Sequence, residues 1–222
     1  MYRSLALLTF ACGAIGTVSA DPLLEMMQAA SEDGPLYAYE TRFSWEDTDV
    51  TARIDPSAEA GQRIVVLSPD ETEWSDDFRE ELVQMDSNTE GDIWCHEFAQ
   101  MVPMDANVLD QSATTSTYAF TPVPEADADK TEQKLMKQLE GRVTLDKSDG
   151  AVLSFNMTLP KPYNPAMVAK INSFAMDVRC ARAPDGRTFI EDFNMNVSGS
   201  AMMQSFDETV SRTITKLLDP VS

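Results

Sequence analysis

The chain has 222 residues, 37 of them acidic against 17 basic, giving a formal net charge of −20, with 43% hydrophobic residues and a single histidine. A surface that acidic repels nucleic acid and anionic headgroups, which excludes both as direct polyanionic partners and favours a soluble monomer. One histidine leaves little for a zinc centre or a histidine-dependent hydrolase, and the length suits one large domain.

The chain opens on MYRSLALLTFACGAIGTVSA, with one basic residue, Arg3, then an apolar run closing on Val18-Ser19-Ala20. That small-x-small ending is where signal peptidases cut, so residues 1–20 read as an export signal and 21–222 as a single antiparallel β-rich domain, periplasmic or secreted. Phe10 stands where lipidation at Cys12 would need a small residue. No later segment approaches the roughly twenty apolar residues of a membrane span, so no stable membrane insertion is expected. Once the leader is removed, two cysteines remain, Cys95 and Cys180. In an oxidising compartment the simplest reading is a disulfide, with two buried thiols or a reactive cysteine as the alternatives. Such a bridge would close a loop of about 86 residues, worth roughly 4 kcal/mol in the chain-entropy model.

DPLLEMMQAASEDG begins with Asp21 as N-cap and Pro22 in the first helical position, carries Leu23, Leu24 and Met27 as a stripe, and ends near Gly34. LYAYETRFSW then alternates, with Tyr37, Tyr39, Phe43 and Trp45 on one face of a strand and Glu40, Arg42 and Ser44 on the other. Val50, Ala52 and Ile54 form its hairpin partner up to Pro56, and 62–68 reads as a third strand. Ser75 caps a helix whose Phe78, Leu82 and Met85 fall at helical spacing. GDIWCHEF is expected to be a short strand carrying Cys95, and 116–122 a strand stopped by Pro122. The acidic stretch that follows should be a loop leading into a helical turn.

Around KSDG, Val143 and Leu145 share a face with Leu153, Phe155, Met157 and Leu159, which makes a hairpin. In the next pair, Phe174, Met176, Val178 and Cys180 occupy even positions while Phe189, Phe193, Met195 and Val197 occupy odd ones. Matching these sets pairs Val178 with Phe193, Met176 with Met195, Phe174 with Val197 and, on the polar face, Arg179 with Asp192. Pro184 lacks the N–H that a two-residue turn would use, so a four-residue loop, PDGR, is expected. Residues 205–218 fit a helix by capping and spacing but a strand by their Thr, Val and Ile content.

Chemistry-bearing patterns are sparse. VSGSA lacks nucleophile-elbow spacing, and EADADK lacks the glycine and closing acid of a calcium loop, so no catalytic residue, metal site or cofactor is assigned. NMT at 156 and NVS at 196 match a glycosylation sequon but fall mid-strand. Methionine is abundant, at 13 residues. It can fill an irregular core, adapt a surface to variable apolar ligands or, less readily, bind copper, with MVPM at 101–104 as the only local support for metal.

An N-terminal helix, the hairpin LYAYETRFSWEDTDVTARID, the interrupting helix SDDFREELVQM, the strand STYAFTP and the meander from VTLDKSDGAVLSFNM through INSFAMDVRC to TFIEDFNMNV resemble, in layout, the LolA, LolB and RseB type of lipoprotein-carrier half-barrel in bacterial envelopes. That resemblance implies a concave apolar surface able to shelter acyl chains or receive a partner's peptide. The expected fold is therefore mainly β, a curved antiparallel sheet or half-barrel with a few helices on its apolar face. The expected function is non-catalytic binding of an apolar, lipid-like ligand by Phe155, Met157, Phe174, Met176, Phe193 and Met195. The alternative is an envelope protein interaction or sensor module without a ligand cavity.

Overall fold

The computed structural model describes residues 21–30, 33–45, 48–125 and 128–221; the expected leader and the side chain of Trp45 lie outside the described part. The strands are β1 (Leu36–Trp45), β2 (Thr48–Ile54), β3 (Ile64–Ser68), β4 (Asn107–Gln111), β5 (Thr115–Phe120), β6 (Glu140–Asp146), β7 (Val152–Thr158), β8 (Tyr163–Ala166), β9 (Ala169–Arg182), β10 (Thr188–Ala201) and β11 (Gln204–Val221). They form one open antiparallel sheet in the order β3-β2-β1-β11-β10-β9-β7-β6-β5-β4, with β8 added to β9. The helices are α1 (Pro22–Gln28), α2 (Asp76–Asn88) and α3 (Lys130–Met136), with 3-10 turns at Glu71–Glu73 and Cys95–Met101. None of the described helices is long and apolar enough to cross a membrane. The expected fold class stands: the protein is mainly β, with helices packed on a large antiparallel sheet.

Capping residues place α1 and α2 as the sequence suggests. The Asp21 side chain accepts from Leu23 N with Pro22 following it, and Ser75 accepts from Phe78 N. Asp129 accepts from both Thr131 N and Glu132 N to start α3. These contacts satisfy amide donors that the first turn of a helix leaves unpaired.

The β9–β10 register is the expected one: Val178 faces Phe193, Met176 faces Met195, Phe174 faces Val197 and Arg179 faces Asp192. The loop differs. Ala183 N donates to Arg187 O at 2.9 Å, enclosing Pro184, Asp185 and Gly186, so the turn has three residues rather than four. The parity is restored by a bulge, because Ile190 pairs with Cys180 but Asp192 with Arg179, leaving Glu191 as the extra residue. A second bulge, between Thr144 and Leu145, sets Leu145 opposite Val152. Val152, 2% exposed, therefore takes the buried position expected of Leu153, which is only half-buried.

One further expectation is corrected. In the segment around Cys95, only Trp94 makes a β-bridge, to Phe189, after which Cys95–Met101 winds into 3-10 turns. This brings Cys95 and Ala99 into the core and Phe98 and Met101 against it, burying apolar area that an extended edge strand would leave in water. The tail, which fits either a helix or a strand by sequence, is a strand of 18 residues: it pairs with β10 over its first half and with β1 over its second. The two short strands β4 and β8 were not anticipated; every β4 residue is exposed.

Cys95 and Cys180 form a disulfide, with an S–S distance of 2.09 Å and a sequence separation of 85. The core has two parts. One gathers α1, the 95–101 turns and the inner faces of β5, β6, β7 and β9; the other gathers Tyr37, Tyr39, Ala52, Ile54, Ile93, Trp94, Phe189 and Ile214, with Leu82 and Met85 of α2 packed against it.

Candidate functional site

Cross-strand pairing gathers the six apolar residues singled out from the sequence into adjacent rows. One row runs Tyr118, Val143, Phe155, Val178, Phe193 across β5, β6, β7, β9 and β10. The next runs Met157, Met176, Met195, Val210 across β7, β9, β10 and β11. Phe174 opposite Val197 adds to this face further along the strands. Alternation in each strand puts these side chains on one side of the sheet.

Burial changes across the rows. Phe155 is 0% exposed, Met157 5% and Met176 7%, whereas Phe174, Phe193 and Met195 are half-buried and Val210 is 44% exposed. The difference arises from what lies on top. Phe98 of the 95–101 segment stacks on Phe155, with ring centroids 4.7 Å apart and planes 17° from parallel, and Phe120 tilts against Phe155 at 5.8 Å. The segment is held by the disulfide at Cys95 and by Gln28, whose Nε2 donates to Ala99 O at 2.7 Å and Val102 O at 3.2 Å. Further out, β9, β10 and β11 run beyond their neighbours: β7 pairs with β9 only from residue 175 to 179, and β1 with β11 only from residue 212 onward.

Two hollows flank the covering segment. A groove of about 540 Å³ is lined by Phe98, Met101, Val123 and Pro124 between Glu97, Gln100 and Glu125. A cleft of about 410 Å³ lies where α1 meets the β6–β7 and β9–β10 turns, with His96, Asp149 and Thr188 on its walls. Neither hollow is lined by any of the six residues; Phe98 links the apolar groove to that face by stacking on Phe155.

The cleft is braced by arginines. Arg182 reaches Asp149 at 2.7 Å and Asp146 at 2.9 Å, tying the two turns together. Hydrogen bonds from the Ser148 side chain and backbone, followed by Arg182, hold the Asp146 carboxyl below its ordinary pKa. The Arg187 guanidinium sits 3.5 Å from the centre of the Trp94 ring and pairs with Asp185 at 2.7 Å. At the other end of α1, the Tyr118 hydroxyl donates to Asp21 Oδ2 at 2.9 Å. Burial, then the bond to Asp21, pushes the Tyr118 pKa up to about 12. On the opposite side of the sheet Arg179 pairs with Asp192, and Asn156 donates to Asp177 at 2.7 Å.

The six residues on these rows are phenyl rings and thioethers, which offer contact and shape. Among the described residues, no group of three His, Cys, Asp or Glu side chains is arranged to hold a metal. Sequence reasoning missed the covering segment; the Phe98 and Met101 spacing, three residues apart beside Cys95, was its one visible signal. No family model, curated protein or solved structure matches this chain.

Proposed function

We propose that the protein is an exported, non-catalytic binder of an apolar, lipid-like ligand, held on the face formed by Phe155, Met157, Phe174, Met176, Phe193 and Met195. The observation that carries this reading is the burial gradient: one continuous apolar face is sealed at Phe155 and half-open at Phe174, Phe193 and Met195. Apolar side chains left half-exposed beside a core are the natural seat for an acyl chain, and three paired thioethers can repack around ligands of different shape. The disulfide and the leader-like residues 1–20 support an exported, envelope location. The layout resemblance to lipoprotein carriers points the same way.

Native mass spectrometry of protein purified from its host, followed by lipid extraction, tests this. Co-purifying acyl chains, with binding of a fluorescent fatty acid weakened by Phe174→Asp or Met195→Asp, would support it. A clean apo mass with no uptake of the probe would end it. One observation favours an envelope interaction module instead: both edge strands expose apolar side chains, Val108 and Leu109 on β4 and Val65 and Leu67 on β3, at 48–54%. Cross-links concentrated at those edges would favour that reading.

A further inference from the structure

The outer ends of β8–β9 and β10–β11 are two tight turns that touch. Met167 and Val168 form one, Met202 and Met203 the other, and Met202 N donates to Val168 O at 2.9 Å. Met167, Met202 and Met203 are 105%, 77% and 101% exposed, unlike Met27, Met136, Met157 and Met176, which are buried in the core. Core packing therefore does not explain the three at the turns.

The backbone makes their presence more pointed. Met202 has φ 49° and Met203 φ 68°, left-handed values that an Asn-Gly pair would adopt at less cost than two long side chains. A turn that needs only compact residues carries two thioethers instead. The surroundings are equally selective. Residues 162–176 and 193–206 contain no acid and one charged residue, Lys170, in a chain with 37 acids. They contain no histidine or cysteine either. The carboxylates and imidazoles that hard and borderline cations favour are absent from these stretches, whereas neutral thioethers suit a soft monovalent ion.

We propose that Met167, Met202 and Met203 form a thioether site for a soft monovalent cation of the Cu(I) class, independent of the apolar-ligand face. The unbranched methionine side chains extend from two turns joined by a hydrogen bond, and rotation about their side-chain bonds would bring the sulfurs onto one ion while the strands stay in place. The copper candidate in the sequence, MVPM, is a poorer site because Met101 packs against the core. The turn site escapes a motif search because its ligands lie in different hairpins.

The test uses the full oxidised protein with methyl-labelled methionine. Silver nitrate in chloride-free buffer serves as the redox-stable probe, followed by Cu(I) kept reduced with ascorbate under anaerobic conditions. The methyl signals of Met167, Met202 and Met203 should shift together and saturate at one equivalent, while Zn(II) and Ca(II) leave them unchanged. Met202→Asn combined with Met203→Gly suits the turn and should keep or raise the melting temperature while abolishing saturable binding. Met167→Leu should weaken binding with the fold intact. Absence of methyl shifts, or equal binding by the well-folded double variant, would overturn the site.

Discussion

Asp86 shows how one buried carboxylate can finish a sheet edge. It is 4% exposed and accepts from Ile64 N at 2.8 Å and from Gly61 N, so a charge from α2 satisfies donors at the start of β3 that have no strand partner. Asp86→Ala would strand these donors and should lower stability by about 2–3 kcal/mol, seen as a lower urea midpoint; Asp86→Asn, which keeps one acceptor, should cost less. Tyr118 gives a different signature. Its folded pKa, about 12, lies above the ordinary value of 10.0, so the folded state holds its proton more tightly than the unfolded state does. The associated stability is complete below pH 10 and is lost as pH rises toward 12, to an extent of roughly 3 kcal/mol. Thermal unfolding between pH 9 and pH 12 should therefore show an alkaline decline that is smaller in Tyr118→Phe.

The β9–β10 hairpin separates what alternation can specify from what it cannot. Gly186 has φ +94° and open space around it, so Gly186→Ala meets no clash and should cost only the backbone strain, about 1 kcal/mol, read as a small drop in melting temperature. The register beyond Asp192 was legible because both strands alternate cleanly, and a slip by one residue would turn the apolar set into water. The three-residue turn was not, because the bulge at Glu191 shifts parity without leaving a mark in the hydrophobic pattern. The same holds for Val152 and Leu153, where neighbouring apolar residues compete for one buried position. The tail resolved as a strand for a non-local reason: β1 needs a partner on the side away from β2, and residues 212–221 supply it from the far end of the chain. At the candidate site, the two rows follow from strand periodicity, whereas their cover, a 3-10 segment brought in by a disulfide and a Gln28 side chain, has no periodic signature.

At the scale of the molecule, strong self-repulsion acts on a sheet that does not close, and the disulfide holds the cover of its deepest apolar row. A chain of net charge −20 loses stability to its own field, and at about 0.15 M salt that field is screened beyond roughly 8 Å. The melting temperature should therefore rise between low and physiological ionic strength. Cutting the tether with paired Cys95→Ala and Cys180→Ala changes should remove roughly 4 kcal/mol, by freeing the unfolded chain from a long loop. It also leaves the 95–101 segment attached only through the Phe98 stack, hydrogen bonds such as those from Gln28, and its packing against the core. That segment should then open before the sheet unfolds, because the strand ladders do not depend on it. A dye that fluoresces on apolar surfaces should brighten with the uncrosslinked protein while the far-ultraviolet spectrum still reports an intact sheet. High salt should restore part of the lost melting temperature but not the dye-free state, since screening relieves repulsion without reattaching the cover. If dye binding and loss of β structure coincide at every salt concentration, the cover and the sheet are one cooperative unit and the disulfide acts only through the unfolded chain.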